Sequence, residues 1–155
     1  MIKKLSQKIK DVLYQQLKQG ATADGLALTC AVGIALALFP ALGTTTALCI
    51  AVGTAMKLNQ PTLQMINYVL APIQLILIPV FLKLGAWIFG IPAVSVNPKT
   101  MIAEFFEAPA QFLADYGMAG LLGIVAWSLV MPIVAYIAYR FLRILFVNFQ
   151  KMKGA

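Results

Sequence analysis

Long apolar segments with almost no charge dominate the chain and are separated by short polar stretches. Residues 25–56 and 118–139 carry no charged side chain, and residues 63–89 carry only Lys83. A membrane-crossing α-helix needs about 20 predominantly apolar residues. The pattern therefore predicts an all-α integral membrane protein with a helical hairpin over 25–56, two further membrane helices and amphipathic interfacial helices.

The N-terminal residues 1–20 have apolar side chains at helical spacing, with lysines largely off that stripe. The apolar positions are Ile2, Leu5, Ile9, Val12, Leu13 and Leu17. Such a pattern predicts a basic amphipathic helix on the cytoplasmic membrane surface, where lysines are attracted to anionic lipid and the apolar face is buried among acyl chains. A helix packed on the protein's own core is the alternative.

The uncharged segment 25–56 is too long for one crossing, so it must bend. Pro40 and Gly43 provide the bend, because proline removes a helix hydrogen bond and glycine accepts a positive φ. The arms 25–39 and 44–56 are expected to be roughly 22 and 20 Å long, against about 30 Å of hydrocarbon. Short arms favour a re-entrant hairpin whose tip stops within the membrane, and two thin full crossings are the alternative.

Both arms carry a small residue at every fourth position. The stripes are Ala27, Ala31 and Ala35 on the first arm and Ala47, Ala51 and Ala55 on the second. Small residues let two helix backbones approach closely, which is how helices associate in lipid.

The core region 21–90 ends in a second proline-containing segment over 63–89. Pro72 and Pro79 lie inside it, so the sequence predicts a break near Ala71–Pro72, with Trp87 and Phe89 at the far interface.

The remaining chain alternates an acidic and a basic region. Residues 91–117 carry one base and three acids and predict an external amphipathic segment, broken at Pro109. Residues 118–155 predict a final membrane helix followed by a basic tail. Because bases are enriched on the cytoplasmic side of membrane proteins, both termini are placed in the cytoplasm of a multi-pass inner-membrane protein.

Composition excludes several classes of function. The 155 residues are 61% hydrophobic and 11% charged, with no histidine and a net charge of +7, and the mean hydropathy is +0.88. Soluble domains carry about a quarter charged residues. Nucleic acid is not expected as a partner, because the bases lie at the chain ends beside apolar runs, where they suit lipid headgroups.

No group of residues predicts catalysis. The acids lie far apart along the chain, and no histidine is present to shuttle a proton. Cys30 and Cys49 lie in uncharged runs without metal-ligand spacing, so they are interpreted as small packing residues. The sequence therefore predicts a protein that is not an enzyme and that needs no metal or cofactor.

The candidate ligand site lies at the proline bend. Gly43 is followed by Thr44, Thr45 and Thr46, directly before the second arm. If that arm starts within the membrane, its free N–H groups form a positive site suited to phosphate or carboxylate. Hydroxyls that merely satisfy the backbone at a tight turn are the simpler interpretation.

Three polar residues of 63–89 complete the candidate set. Asn67 and Gln74 are expected to face the interior of the bundle, and interhelical hydrogen bonds are favoured over ligand contact for both. Lys83 either joins them or extends to the outer interface, and the second is favoured slightly.

Four ordered pieces resemble a known family. They are Gly25-Leu26-Ala27, Ala31-Val32-Gly33, Phe39-Pro40-Ala41-Leu42-Gly43 and Lys57-Leu58-Asn59-Gln60-Pro61. Over residues 20–90 their order and spacing resemble a bacterial membrane family defined as a domain of unknown function, number two-zero-six-two. The chain differs from the family at Ala71-Pro72, where Asn-Pro is usual. The resemblance implies a small bacterial inner-membrane protein and supplies no established substrate.

The leading hypothesis is a membrane protein that binds or translocates an anionic lipid or polyprenyl phosphate at the proline bend. A non-transporting scaffold or accessory subunit is the first alternative, with membrane lipids, a second copy or another membrane protein as partners. A small solute channel or exporter is the second.

Overall fold

The computed structural model describes residues 22–92 and 98–153, and all regular structure among them is α-helical. The five helices are α1 (Ala23–Ala37), α2 (Thr45–Ala55), α3 (Gln60–Ile88), α4 (Pro98–Glu107) and α5 (Pro109–Lys153). The all-α prediction is confirmed. The amphipathic helix predicted over 1–20 lies outside the described residues.

Two of these helices, α3 and α5, are long and apolar enough to cross a membrane. In their most apolar windows only 28% and 17% of the residues are buried within the protein. Such helices leave most of their apolar surface available to lipid, whereas the core helix of a soluble protein is mostly buried. Helices α1 and α2 are also apolar but shorter.

Local signals set where α1 begins and ends. The Thr22 hydroxyl accepts a hydrogen bond from the Gly25 N–H at 3.0 Å, and Asp24 lies in the first turn, as expected of an acid at a helix start. Asp24 also forms an ion pair with Arg143 of α5. At the other end the chain leaves the helix before Pro40 and turns through Gly43, whose φ is +74°.

A second turn joins α2 to α3. The Leu58 N–H donates to the Gly53 carbonyl at 2.8 Å, which closes the end of α2. The Asn59 side chain then caps α3 by accepting from the Thr62 N–H at 3.0 Å. The Asn59 N–H donates to the Thr29 hydroxyl at 3.3 Å, so the chain returns to the middle of α1 after α2.

The predicted break at Ala71–Pro72 is wrong, because α3 continues through Pro72 and Pro79. A proline removes one helix hydrogen bond, and the packed residues on either side keep the helix continuous. Leu63 is buried before the prolines, and Ile78 and Leu82 are buried around and beyond Pro79.

The helix boundary at Pro109 is confirmed, and beyond it the end of the predicted external segment and the predicted final span belong to one helix. Helix α4 ends at Glu107, and α5 begins at Pro109 and continues without interruption to Lys153. Its 45 residues measure about 67 Å along the axis. Residues 109–117 and 140–153 therefore extend the helix that contains the predicted span 118–139, and Pro132 within that span does not end α5.

The core is formed where α1, α3 and α5 contact one another. Near the start of α1, Leu26, Ala27 and Cys30 pack against Phe146 of α5. Cys49 of α2 is also buried, in the cluster that contains Leu63, so both cysteines are packing residues as predicted. Helix α2 packs on α1 and α3.

Candidate functional site

The candidate site is centred on residues 38–44, called the turn below, which connect α1 to α2. The Phe39 carbonyl accepts hydrogen bonds from the Ala41 N–H at 2.9 Å and from the Gln74 side-chain amide at 2.8 Å. The Ala41 carbonyl accepts from the Thr44 hydroxyl at 3.1 Å and from the same Gln74 amide at 3.5 Å. One glutamine of α3 therefore serves two carbonyls of the turn.

A second long side chain supports the end of α1. The Trp127 indole N–H donates to the Ala35 carbonyl at 3.1 Å. Its ring meets the Phe39 ring edge to face, with centroids 5.0 Å apart. The last carbonyls of a helix have no partner inside the helix, so Trp127 satisfies a group that the turn leaves without one.

The three threonines have different surroundings. Thr44 is the N-cap residue of α2, but its side chain makes no hydrogen bond to the helix start and instead donates back to Ala41. Thr45 is buried. The Thr46 hydroxyl accepts from the Asn67 amide at 3.2 Å. The backbone interpretation is therefore supported for the Thr44 hydroxyl, and Thr46 takes part in helix packing.

Amide side chains of α3 bond along the length of α2. The Gln60 amide donates to the Ile50 carbonyl at 3.2 Å and to the Thr54 hydroxyl at 3.3 Å. The Gln64 amide donates to the Thr46 carbonyl at 3.5 Å. With Asn67 these residues form a polar seam between α2 and α3. Asn67 makes the interhelical hydrogen bond that the sequence favoured, and Gln74 donates to the turn between two helices.

Lys83 is separated from the rest of the candidate set. Asn67 and Gln74 are buried on one face of α3, and Lys83 is exposed. At 100° per residue, Lys83 is about 180° around the helix from Gln74. The structure therefore does not bring Lys83 to the turn.

A cavity of about 310 Å³, called the turn cavity below, opens beside the turn. Its walls include Pro40, Leu42 and Thr44 of the turn, Leu82 of α3, Phe105 of α4 and Gly120 of α5. No residue in its lining is charged. The cavity thus offers an apolar space in contact with the N-cap residue of α2.

A family model for an uncharacterized protein conserved in bacteria (DUF2062) matches residues 6–152. The chain belongs to this family. The match extends the resemblance seen over residues 20–90 to nearly the whole chain. No curated protein and no solved structure gives a significant match.

The family pieces form the parts of the structure described above. Phe39-Pro40-Ala41-Leu42-Gly43 forms most of the turn, and Lys57-Leu58-Asn59-Gln60-Pro61 forms the connection into α3. In this family member Ala71-Pro72 lies inside a continuous helix. The amides that bond to other elements are at Gln60, Gln64, Asn67 and Gln74.

Several site residues were missed from the sequence. Trp127 carried no signal, because its partner lies 92 positions away. Gln60 and Gln64 did carry one, since with Asn67 and Gln74 they are spaced as one face of a helix. Gly120 lines the turn cavity and was not considered.

Charged groups lie towards both ends of the bundle, and among the described residues none of them lines the turn cavity. On α4 Glu104 raises the pKa of Tyr116 of α5, first through a side-chain hydrogen bond. At the opposite end of α5, Arg140 and Arg143 line a surface depression of about 280 Å³. Among the described residues, no group of three or more His, Cys, Asp or Glu is placed to hold a metal ion.

Proposed function

We propose that this family member is a polytopic inner-membrane protein whose turn lies inside the membrane and binds an anionic amphiphile, a lipid or polyprenyl phosphate. The observation that carries the proposal is the contact between the apolar turn cavity and Thr44, the N-cap residue of α2. One end of an amphiphile requires an apolar space, and the other requires a place for negative charge. The two lie side by side here.

The hydrogen bonds of the turn support a position within the membrane. Irregular backbone at membrane depth is tolerated only where protein or a polar cavity satisfies its polar groups. Gln74 and Trp127 supply donors to carbonyls at and near the turn. Gln74 is also the midpoint of the candidate span Gln60–Ile88. These features favour the re-entrant hairpin over two full crossings.

The start of α2 supports an anionic ligand. Its N-cap side chain makes no bond to the first turn, so N–H groups at the positive end of the helix dipole are left without that partner. Among the described residues, none that lines the turn cavity is charged, so the proposed headgroup is bound there by backbone dipoles and hydroxyls. Low polarity around the site strengthens such interactions.

The proposed orientation has both termini in the cytoplasm and α4 on the outer side. Arg140, Arg143 and Lys151 mark one end of α5, and Glu104 and Asp115 are found towards the other. This distribution agrees with the enrichment of bases on the cytoplasmic side.

Calorimetric titration of the purified protein with dodecyl phosphate and with dodecanol tests the headgroup proposal. We expect dodecyl phosphate to bind about tenfold more tightly than dodecanol. Thr44→Val should lower the affinity for the phosphate by about threefold and leave the affinity for the alcohol unchanged. Ser128→Ala, which removes an exposed hydroxyl of α5 bonded to the Ile124 carbonyl, is the matched control. Equal affinity for phosphate and alcohol refutes an anion site.

Helix α2 supports a second candidate function, a scaffold in which this chain associates with another membrane helix. Ala47, Ala51 and Ala55 are exposed, whereas the stripe Ala27, Ala31 and Ala35 on α1 is buried within the chain. Of these two stripes, the one on α2 is therefore available to a partner. Ala51→Leu is expected to abolish an oligomer measured by light scattering in detergent, and Ala110→Leu, on the exposed start of α5, is not. An unchanged oligomeric state in Ala51→Leu excludes this face.

A further inference from the structure

Two pairs of helical glycines have opposite surroundings. A Cβ at Gly85 would lie 2.3 Å from the Leu122 carbonyl oxygen, and one at Gly53 would lie 2.5 Å from the Gln60 side-chain nitrogen. Close packing of two backbones therefore requires glycine at Gly85, whereas at Gly53 the ends of the Gln60 and Leu63 side chains would have to move. At Gly117 and Gly120 a Cβ would meet no described atom within 4 Å. Glycine weakens a helix relative to alanine, and no packing contact explains these two.

Both unexplained glycines line the turn cavity. Because these glycines have no side chain, the backbone of α5 lines one side of the turn cavity directly. The room they provide is next to Leu42 of the turn and is apolar. An apolar space of this size, connected to a lipid-facing helix surface, suits a hydrocarbon chain better than water.

Helix α4 lies over the same space and is joined to α5 through a single non-helical residue, Ala108. Phe105 of α4 lines the cavity and meets the Phe112 ring of α5 edge to face, with centroids 5.4 Å apart. Glu104 of α4 raises the pKa of the Tyr116 hydroxyl of α5, first through a side-chain hydrogen bond, so these side chains also meet between the two helices. At the junction the Ala108 N–H donates to the Glu104 carbonyl at 3.0 Å, and the Ala108 carbonyl accepts from the Phe112 N–H at 2.9 Å. Pro109 has no N–H to donate, so the two helices meet at Ala108, which is the point at which they can hinge.

We propose that α4 is a hinged cover of the turn cavity and that it closes over a single hydrocarbon chain occupying the room left by Gly117 and Gly120. The identity of the headgroup rests on the proposed function, and the presence of a hydrocarbon chain in the cavity does not. The Glu104–Tyr116 bond and the Phe105–Phe112 contact keep the cover closed. When α4 swings away at Ala108, the hydrocarbon chain enters the cavity from the lipid leaflet beside α4.

Quenching of Trp127 by brominated chains tests whether the cavity is occupied. With Trp87→Phe, Trp127 is the single tryptophan of the chain, and its ring contacts Phe39 next to the cavity residue Pro40. Titration with dibromododecyl phosphate in detergent is expected to quench it at low probe concentration. Gly120→Leu places a side chain in the cavity from a position where a Cβ meets no described atom within 4 Å, and it should require about tenfold more probe.

Val125→Leu is the matched control, because Val125 is exposed on α5 and does not line the cavity. Its Trp127 fluorescence is expected to be quenched at the same probe concentration as in the parent protein. If Trp127 in Gly120→Leu is also quenched at that concentration, no hydrocarbon chain occupies the cavity and the inference is wrong.

The rate of quenching tests the cover. Tyr116→Phe keeps the ring and removes the hydroxyl, so the onset of quenching should become about fivefold faster. Glu104→Cys with Tyr116→Cys, in a protein carrying Cys30→Ala and Cys49→Ala, allows a short bifunctional reagent to fix α4 to α5. Crosslinking should slow the onset about tenfold, and reductive release should restore it. Unchanged rates in both experiments exclude a cover.

Dibromododecanol separates the two proposals. If alcohol and phosphate quench at equal concentrations and both depend on Gly120, the chain site is correct and the anion proposal fails. If the phosphate binds more tightly and Gly120→Leu has no effect, the anion proposal survives and the chain site fails.

Discussion

The indole nitrogen of Trp127 lies 3.1 Å from the main-chain carbonyl oxygen of Ala35 and donates a hydrogen bond to it. Ala35 is in the last turn of α1, two residues before its end. The ring of Trp127 also packs edge to face on Phe39. One side chain of α5 therefore supports the end of a short helix through both a polar and an apolar contact.

Trp127→Phe is expected to destabilise the protein by about 1–3 kcal/mol, because it leaves the Ala35 carbonyl without its donor while keeping an aromatic ring. The free energy of unfolding in mixed detergent micelles measures the change. Trp87→Phe is the matched control, since Trp87 is 78% exposed, and a change below about 0.5 kcal/mol is expected there. Equal effects of the two substitutions contradict a role for the indole N–H.

Gln74→Leu is expected to cost a similar amount, about 1–3 kcal/mol, because the Phe39 carbonyl loses a donor at 2.8 Å. The same unfolding measurement applies. Gln111→Leu removes an exposed amide that donates to Asp115 and should change stability by less than about 0.5 kcal/mol. A stable Gln74→Leu protein would show that the turn does not depend on α3.

Gly85→Ala tests the close contact of α3 with α5. A Cβ there would lie 2.3 Å from the Leu122 carbonyl oxygen, so the two backbones must separate, and a loss of about 1–3 kcal/mol is expected. Gly117→Ala, where a Cβ meets no described atom within 4 Å, is expected to gain up to about 1 kcal/mol from helix propensity. Unfolding of both variants gives the comparison, and equal changes refute the contact.

The Asp24–Arg143 ion pair is expected to contribute little. The two side chains are 54% and 46% exposed, so solvent and salt screen their attraction. A double-mutant cycle with Asp24→Asn and Arg143→Gln should give a coupling of about 0.2–1 kcal/mol that decreases as salt is added. A coupling well above that range, or one insensitive to salt, would contradict a surface pair.

The depth of the turn can be measured at Leu42. In a protein lacking Cys30 and Cys49, Leu42→Cys is expected to resist a membrane-impermeant thiol reagent added from either side and to react after unfolding in detergent. Lys57→Cys and Phe106→Cys are the controls for the cytoplasmic and outer sides. Labelling of Leu42→Cys from outside alone would mean two full crossings.

The sequence alone determined which segments of the chain form helices and where the chain turns between them. Apolar segments predicted helices within 25–56, 63–89 and 118–139, because periodicity and apolar content are local properties of the chain. The turn at Pro40–Gly43 and the boundary at Pro109 followed from the backbone limits of proline and glycine. The family was recognisable for the same reason, since its ordered pieces include the turn residues and the cap of α3.

Tertiary structure decided which polar residues act together. Gln74 and Trp127 reach the end of α1 and the turn from two other helices, and no spacing along the chain relates them to Ala35 or Phe39. Lys83 shares a segment with Gln74 but lies on the opposite face of α3, and continuity through Pro72 was likewise settled by packing. Hydrophobic periodicity assigns each residue to a face of its own helix, whereas the partner on that face depends on how separate helices meet.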